Sequence, residues 1–330
     1  MILAAFADVG VDTSAASAPL PLVSLVGANL TAVSCPSTSH CWAVGTSGEI
    51  IATKNGGSTW FKQRTPSGVT QLEDVSCPSM NVCVAVSSAA EGVEGGAIVV
   101  TKNGGRSWAV HTSAAALTGV TCPSTADCVA VGGSTIVTTA NGGTTWVTRT
   151  VPQAVTELGG VSCPSKDVCL VVGGATSGGQ GSVAFAATTN GGKTWKAQLA
   201  AYGTGADFSG VSCPSTQDCF AAGGDILATK NGGTTWVDQT SILQALFLAV
   251  SCPSTKECFA VGTSSVANDV IYATTNGGRM WKQSLSIART GPVALSGVSC
   301  PSTRDCVAVG GSVIFATTNA GGTWETSSRR

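Results

Sequence analysis

The sequence predicts an all-β protein, a ring of seven four-stranded antiparallel blades (a β-propeller) with one disulfide in each blade. Three observations carry that reading. A phrase of the form V-[ST]-C-P-S-x-x-x-C occurs seven times, starting at Val33, Val75, Val120, Val161, Val211, Val250 and Val298. Each copy is followed by a second phrase, such as "TKNGGSTW" at Thr53 to Trp60. Around both stand short Val/Ile/Ala/Thr runs of strand length, bounded by Gly, Pro and Asn.

The first cysteines of successive units lie 42, 45, 41, 50, 39 and 48 residues apart. A period of about 44 residues fits propeller blades or a helical array, and the Gly pairs and prolines within every unit exclude helices. In the first unit the strands are expected at Leu30 to Cys35, Cys41 to Gly45, Ile50 to Lys54, and from Thr59-Trp60 onward. Because strands alternate in direction, the loops between first and second strands share one end of the ring with the Asn-Gly-Gly turns. The opposite end carries the connections in which the units differ. These are long in the second unit (Ser87 to Gly96), the fourth (Gly173 to Gly181) and the sixth (Gly262 to Asp269), and variable loops on a rigid scaffold are the usual place for binding.

All 14 cysteines fall into pairs six residues apart: Cys35 and Cys41, Cys77 and Cys83, Cys122 and Cys128, Cys163 and Cys169, Cys213 and Cys219, Cys252 and Cys258, Cys300 and Cys306. An even count at fixed spacing, with no C-x-x-C element, favours seven local disulfides over zinc or redox sites. Each would close its hairpin and contribute about 2 kcal/mol by the loop-entropy estimate. Disulfides in every unit predict an oxidising compartment, either the periplasm or outside the cell, at its surface.

Charged residues make up only 11% of the chain, and 17 Lys+Arg stand against 18 Asp+Glu. That balance gives no attraction for nucleic acid. No stretch reaches the roughly 20 apolar residues of a membrane span. The chain divides into an extension, residues 1–28, and the propeller, residues 29–330. The extension opens "MILAAFAD" and continues to "SAPLPLVSLVG"; it reads either as a signal remnant or as a strand-donating tail.

The seven "NGGxTW"-type phrases supply the positive φ angles of a tight hairpin and a Trp (60, 108, 146, 195, 236, 281, 324) to pack between blades. Here the sequence resembles the Asp-box, or BNR, repeat, with its S/T-x-D-x-G-x-T-W pattern, found in sialidases, sortilin-type receptors and photosystem II assembly factor-like propellers. Every unit carries Asn where that family has Asp, and Met280 once replaces the Thr. The combined unit is also similar to one common in secreted bacterial proteins. The resemblance covers residues 30 to 324 and implies the propeller fold; it leaves the activity open, since the box is shared by unrelated functions.

No catalytic constellation stands out. A sialidase would need a Tyr nucleophile with an acid and an arginine cluster, and the chain holds only Tyr202 and Tyr272. Tyr272 reads as packing; His40 and His111 lack a nucleophile partner. The expectation is a non-enzymatic module without cofactor or metal, binding a protein or glycan at the cell surface. Its binding candidates are Glu91, Glu94, Arg149, Tyr202, Asp207 and Asp269 on the variable face. Two alternatives are a subunit that binds copies of itself into a filament through its tail, and a glycan-binding or sialidase-like protein.

Overall fold

A computed structural model describes residues 29–90, 95–153, 155–174, 183–200, 208–239, 245–288 and 294–329. The residues 1–28 extension and its two readings lie outside the described residues. These form one five-stranded and six four-stranded sheets, every blade running in sequence order from the innermost strand outward. In blade one the strands are Leu30–Ser34, Cys41–Gly45, Ile50–Thr53 and Thr59–Lys62. The innermost strands of blades two to seven are Val69–Ser76, Gly119–Thr121, Thr156–Ser162, Gly210–Ser212, Ala245–Ser251 and Gly297–Ser299.

Hydrophobic residues of adjacent blades meet in seven clusters, one per interface, and each contains or is flanked by the Trp of one Asn-Gly-Gly unit. Trp60, for example, is wholly buried among Val33, Ile51, Val307 and Ile314 of blades one and seven. Phe185 of blade four stacks on Trp236 of blade five at 4.2 Å. Burial of such rings, worth about 2 to 3 kcal/mol each by transfer bookkeeping, is the main force holding blade to blade.

All seven disulfides form within their blades, as the spacing predicts. The loop each one closes touches the Asn-Gly-Gly turn of the same blade: the N–H of Gly56 donates to the Ser39 carbonyl at 2.9 Å, and six equivalent bonds repeat this around the ring. The two loop types therefore share one end, here the disulfide end.

The turn is built around Asn. In blade one the Thr53 hydroxyl donates to Asn55 Oδ1 at 2.9 Å and accepts the Gly57 N–H at 3.1 Å. Asn55 Oδ1 accepts the Thr59 N–H, while Asn55 Nδ2 donates to Thr59 Oγ1 at 2.9 Å. An Asp could make the first contacts but has no N–H for the last, which six units make and for which the sixth, with Met280, lacks the hydroxyl.

Two further features were not anticipated. The Ser before the first Cys of one blade accepts the N–H of the first Cys of the next, as in Cys77 to Ser34 and Cys122 to Ser76, at 2.9 to 3.1 Å in six interfaces. Cys35 to Ser299 is the bond that closes the circle. In addition, the last blade's outer strand is short, Glu325–Thr326, and the chain then crosses over: Ser328–Arg329 pair in parallel with Thr59 and Trp60 of blade one.

The sixth unit also corrects an expectation. Its presumed long loop is a hairpin extension, with strands Cys258–Ser264 and Asn268–Thr274 paired through Thr263 and Asp269. The ladder continues two pairs further than in blade one, through Gly262 with Val270 and Thr263 with Asp269.

Candidate functional site

The innermost strands surround a central channel of about 670 Å³, lined by residues from all seven blades. Counting back three from the first Cys, the blades place Ala32, Asp74, Gly160, Gly210, Ala249 and Gly297 on this wall, and Gly119 holds the same sequence position in blade three. Small residues are required there because neighbouring strands nearly touch: a Cβ on Gly160 would lie 2.4 Å from the Ser209 carbonyl oxygen, and one on Gly297 2.9 Å from the Ala32 Cα. One residue further back, hydroxyls bridge to the next blade. Thr31 donates to the Leu72 carbonyl at 2.8 Å, Thr118 to Leu158 at 2.9 Å, and Ser209 to Leu248 at 3.1 Å.

Asp74 is the exception to this pattern. Its Oδ2 accepts the Val120 N–H of blade three, and its Oδ1 accepts the Val75 N–H, both at 2.8 Å. The group is enclosed by protein, with an edge still open to the channel. Burial pushes its pKa up to about 7; the N–H groups of Val120 and Val75 pull the other way, and the adjacent Glu73 carboxylate adds to the rise. Glu73 also lines the channel and accepts a hydrogen bond from Ser88 Oγ.

A third carboxylate arrives by a bulge. The register of blade four's first two strands slips on either side of Leu158, and Leu158 donates to the Gly133 carbonyl of blade three at 2.7 Å. Glu157 is thereby held at φ 50°, a conformation that favours glycine, and its exposed side chain lines the channel mouth. The conformation costs about 1 kcal/mol at a non-glycine residue. Glu73, Asp74 and Glu157 face the channel with no Lys, Arg or His in the lining among the described residues. The mouth therefore favours a cationic group.

The candidates read from sequence are not assembled here. Glu91, Glu94, Tyr202 and Asp207 lie outside the described residues. Asp269 sits within a strand rather than at an exposed loop tip and is 4% exposed. Arg149 lies away from the channel, its Nε donating to Thr138 Oγ1 at 2.8 Å in the cleft between blades three and four. Tyr272 packs edge-on against Phe247, in line with its expected role. The channel acids lie on innermost strands rather than in the variable loops; the departure of Asp74 from six Gly or Ala counterparts is the signal in the sequence that marks them.

No family model matches the chain, and no curated protein matches it. Among solved structures, it is similar to "YCF48 bound to D1 peptide", with a TM-score of 0.67 and 16% identity over 91% of this chain and 95% of that one. YCF48 from Cyanidioschyzon merolae gives a TM-score of 0.66 at 16% identity, covering 92% and 98% of the two chains. The GH74 xyloglucanase from Xanthomonas campestris gives 0.74 at 13% identity; 92% of this chain is covered but only 55% of the enzyme. At these identities the likeness establishes the fold, the seven-bladed β-propeller.

Proposed function

We propose that the protein is a non-enzymatic binding module of the extracellular space, and that its channel mouth takes a cationic group, a Lys or Arg side chain of a partner polypeptide. The observation that carries this is the channel wall itself: three carboxylates, one of them pushed up to about 7, with no basic residue in the lining among the described residues. Polypeptide as the partner is supported by the similar propeller that is described as bound to a peptide. The Asn-Gly-Gly turns fit an Asp-box repeat with Asn in the acid's place, and seven disulfides fit an oxidising compartment.

A non-catalytic reading is supported by how the acids are engaged. Both oxygens of Asp74 are occupied by backbone N–H groups, and Glu73 is held by Ser88. Carboxylates so committed are poorly placed to exchange protons with a substrate. The test is fluorescence anisotropy with a labelled Lys-rich octapeptide and its Glu-rich counterpart. The Lys-rich probe is expected to bind and to weaken at least tenfold in the Glu73→Gln/Glu157→Gln double variant. Equal binding to wild type and variant would remove the channel as the site.

A further inference from the structure

A second site lies at the opposite, disulfide end, in the cleft between blades one and two. It measures about 990 Å³, and its lining includes Lys54, Lys62, Lys102 and Arg106 without a single carboxylate. The reason is legible blade by blade. The residue before the second Cys is an acid in blades three, five, six and seven (Asp127, Asp218, Glu257, Asp305), each accepting a hydrogen bond from the Ser of its own C-P-S loop. In blade five that acid also neutralises the turn lysine, Lys230 to Asp218 at 3.1 Å. Blades one and two keep the turn lysines, Lys54 and Lys102, but carry His40 and Val82 where the acid would be. The positive charge is left without its counterion.

Neighbouring groups partly spend that charge: Lys62 pairs with Glu49 at 2.8 Å, and the Lys102 ammonium turns to Thr144 of blade three at 3.2 Å. Lys54 and Arg106 form no ion pair among the described residues. The corresponding cleft between blades three and four is mixed in charge, with Asp127 and Asp167 among its lining, and the one between blades seven and one carries Glu325.

The cleft also exposes larger apolar side chains than the one between blades three and four, where Val147 is the exposed apolar residue. Phe61 and Met80, 49% and 52% exposed, line it, and Met80 stands where five of the other six loops have Thr. Beside them, His40 and Trp42 stack at 6.4 Å. A flexible, polarisable Met beside an aromatic ring suits an apolar side chain of variable shape.

We infer that this cleft binds an acidic polypeptide segment, its carboxylates on Lys54 and Arg106 and an apolar side chain between Phe61 and Met80. A polypeptide is favoured over an anionic glycan because it supplies an apolar side chain for Phe61 and Met80 together with carboxylates for the cations. Arg106 presents a fork matched to a carboxylate, and Lys54 a mobile point charge beside it.

The test uses the full chain and a labelled octapeptide alternating Glu with Leu and Phe, followed by anisotropy at low and moderate salt. Binding is expected to fall steeply with salt, to weaken at least tenfold in Lys54→Glu/Arg106→Glu, and to weaken in Phe61→Ser. Lys193→Glu, at the turn position of Arg106 in blade four, is expected to leave it unchanged. All four substitutions fall on exposed side chains, and an unchanged melting temperature verifies the fold. The inference is overturned if wild type fails to bind the peptide, if charge reversal leaves binding intact, or if an oligogalacturonate binds through the same residues in place of the peptide.

Discussion

Replacing Asp74 by Ala separates a stored charge from a structural bracket. The carboxyl is raised from 3.8 to about 7 by burial, a shift worth about 4 kcal/mol at full strength and roughly 2 kcal/mol once channel water screens it. Because the folded-state pKa lies above the unfolded one, the group's contribution to stability is fully present below about pH 4. It is lost as the pH rises through 7. Ala, the residue at the same position in blades one and six, does not titrate. The Val120 N–H that Asp74 now engages would face channel water, so its loss costs about 1 kcal/mol. Asp74→Ala is therefore expected to be about 1 kcal/mol less stable than wild type at pH 4 and about as much more stable at pH 9. Urea unfolding across that range, under non-reducing conditions, reads the crossing directly. A constant loss at every pH would refute the reasoning and make Asp74 a plain tie between blades two and three. The same charge links stability to binding: a cation at the mouth relieves the ionised carboxylate, so the Lys-rich probe should bind wild type more tightly at pH 8 than at pH 6.

Two further predictions concern the frame. Ser299→Ala removes the acceptor for the Cys35 N–H at the closing interface and is expected to cost about 1 to 2 kcal/mol. Ser162→Ala should cost a similar amount, with the two losses additive in thermal or urea melts because the sites share no partner. Ala320 occupies the first glycine position of its turn at φ 59°; Ala320→Gly is expected to stabilise by about 1 kcal/mol, seen as a rise in the urea midpoint at unchanged slope.

Most of the architecture was legible because each unit repeats its own instructions. Strand starts at Leu30, Cys41, Ile50 and Thr59 agree with the structure to the residue, since the cysteines and the Asn-Gly-Gly turn fix both ends of each hairpin. What escaped notice acts between units. The Ser before the first Cys, present in every blade but the third, reads as an ordinary strand residue until the next blade's N–H is seen beside it, and the Ser328–Arg329 crossover depends on the ring being closed. The acidic mouth escaped for a related reason: Glu73, Asp74 and Glu157 lie far apart in sequence or in an unremarkable run, and only the radial arrangement of innermost strands turns them toward one axis. In the basic cleft, by contrast, His40 was already visible as the odd residue at a position filled elsewhere by Val, Asp or Glu; its meaning needed the Lys230 to Asp218 pair for comparison.

The serine bonds between blades have a consequence for how the molecule comes apart. In an open stack of repeats the terminal units have one neighbour and fray first, giving proteases a foothold. Here the Ser299 to Cys35 bond gives the first unit a predecessor and the last a successor, so no blade is terminal and none can lift away without releasing two sides at once. Loss of structure must begin with a breach of the circle at some interface, and the resistance of the whole to digestion is set by its weakest seam.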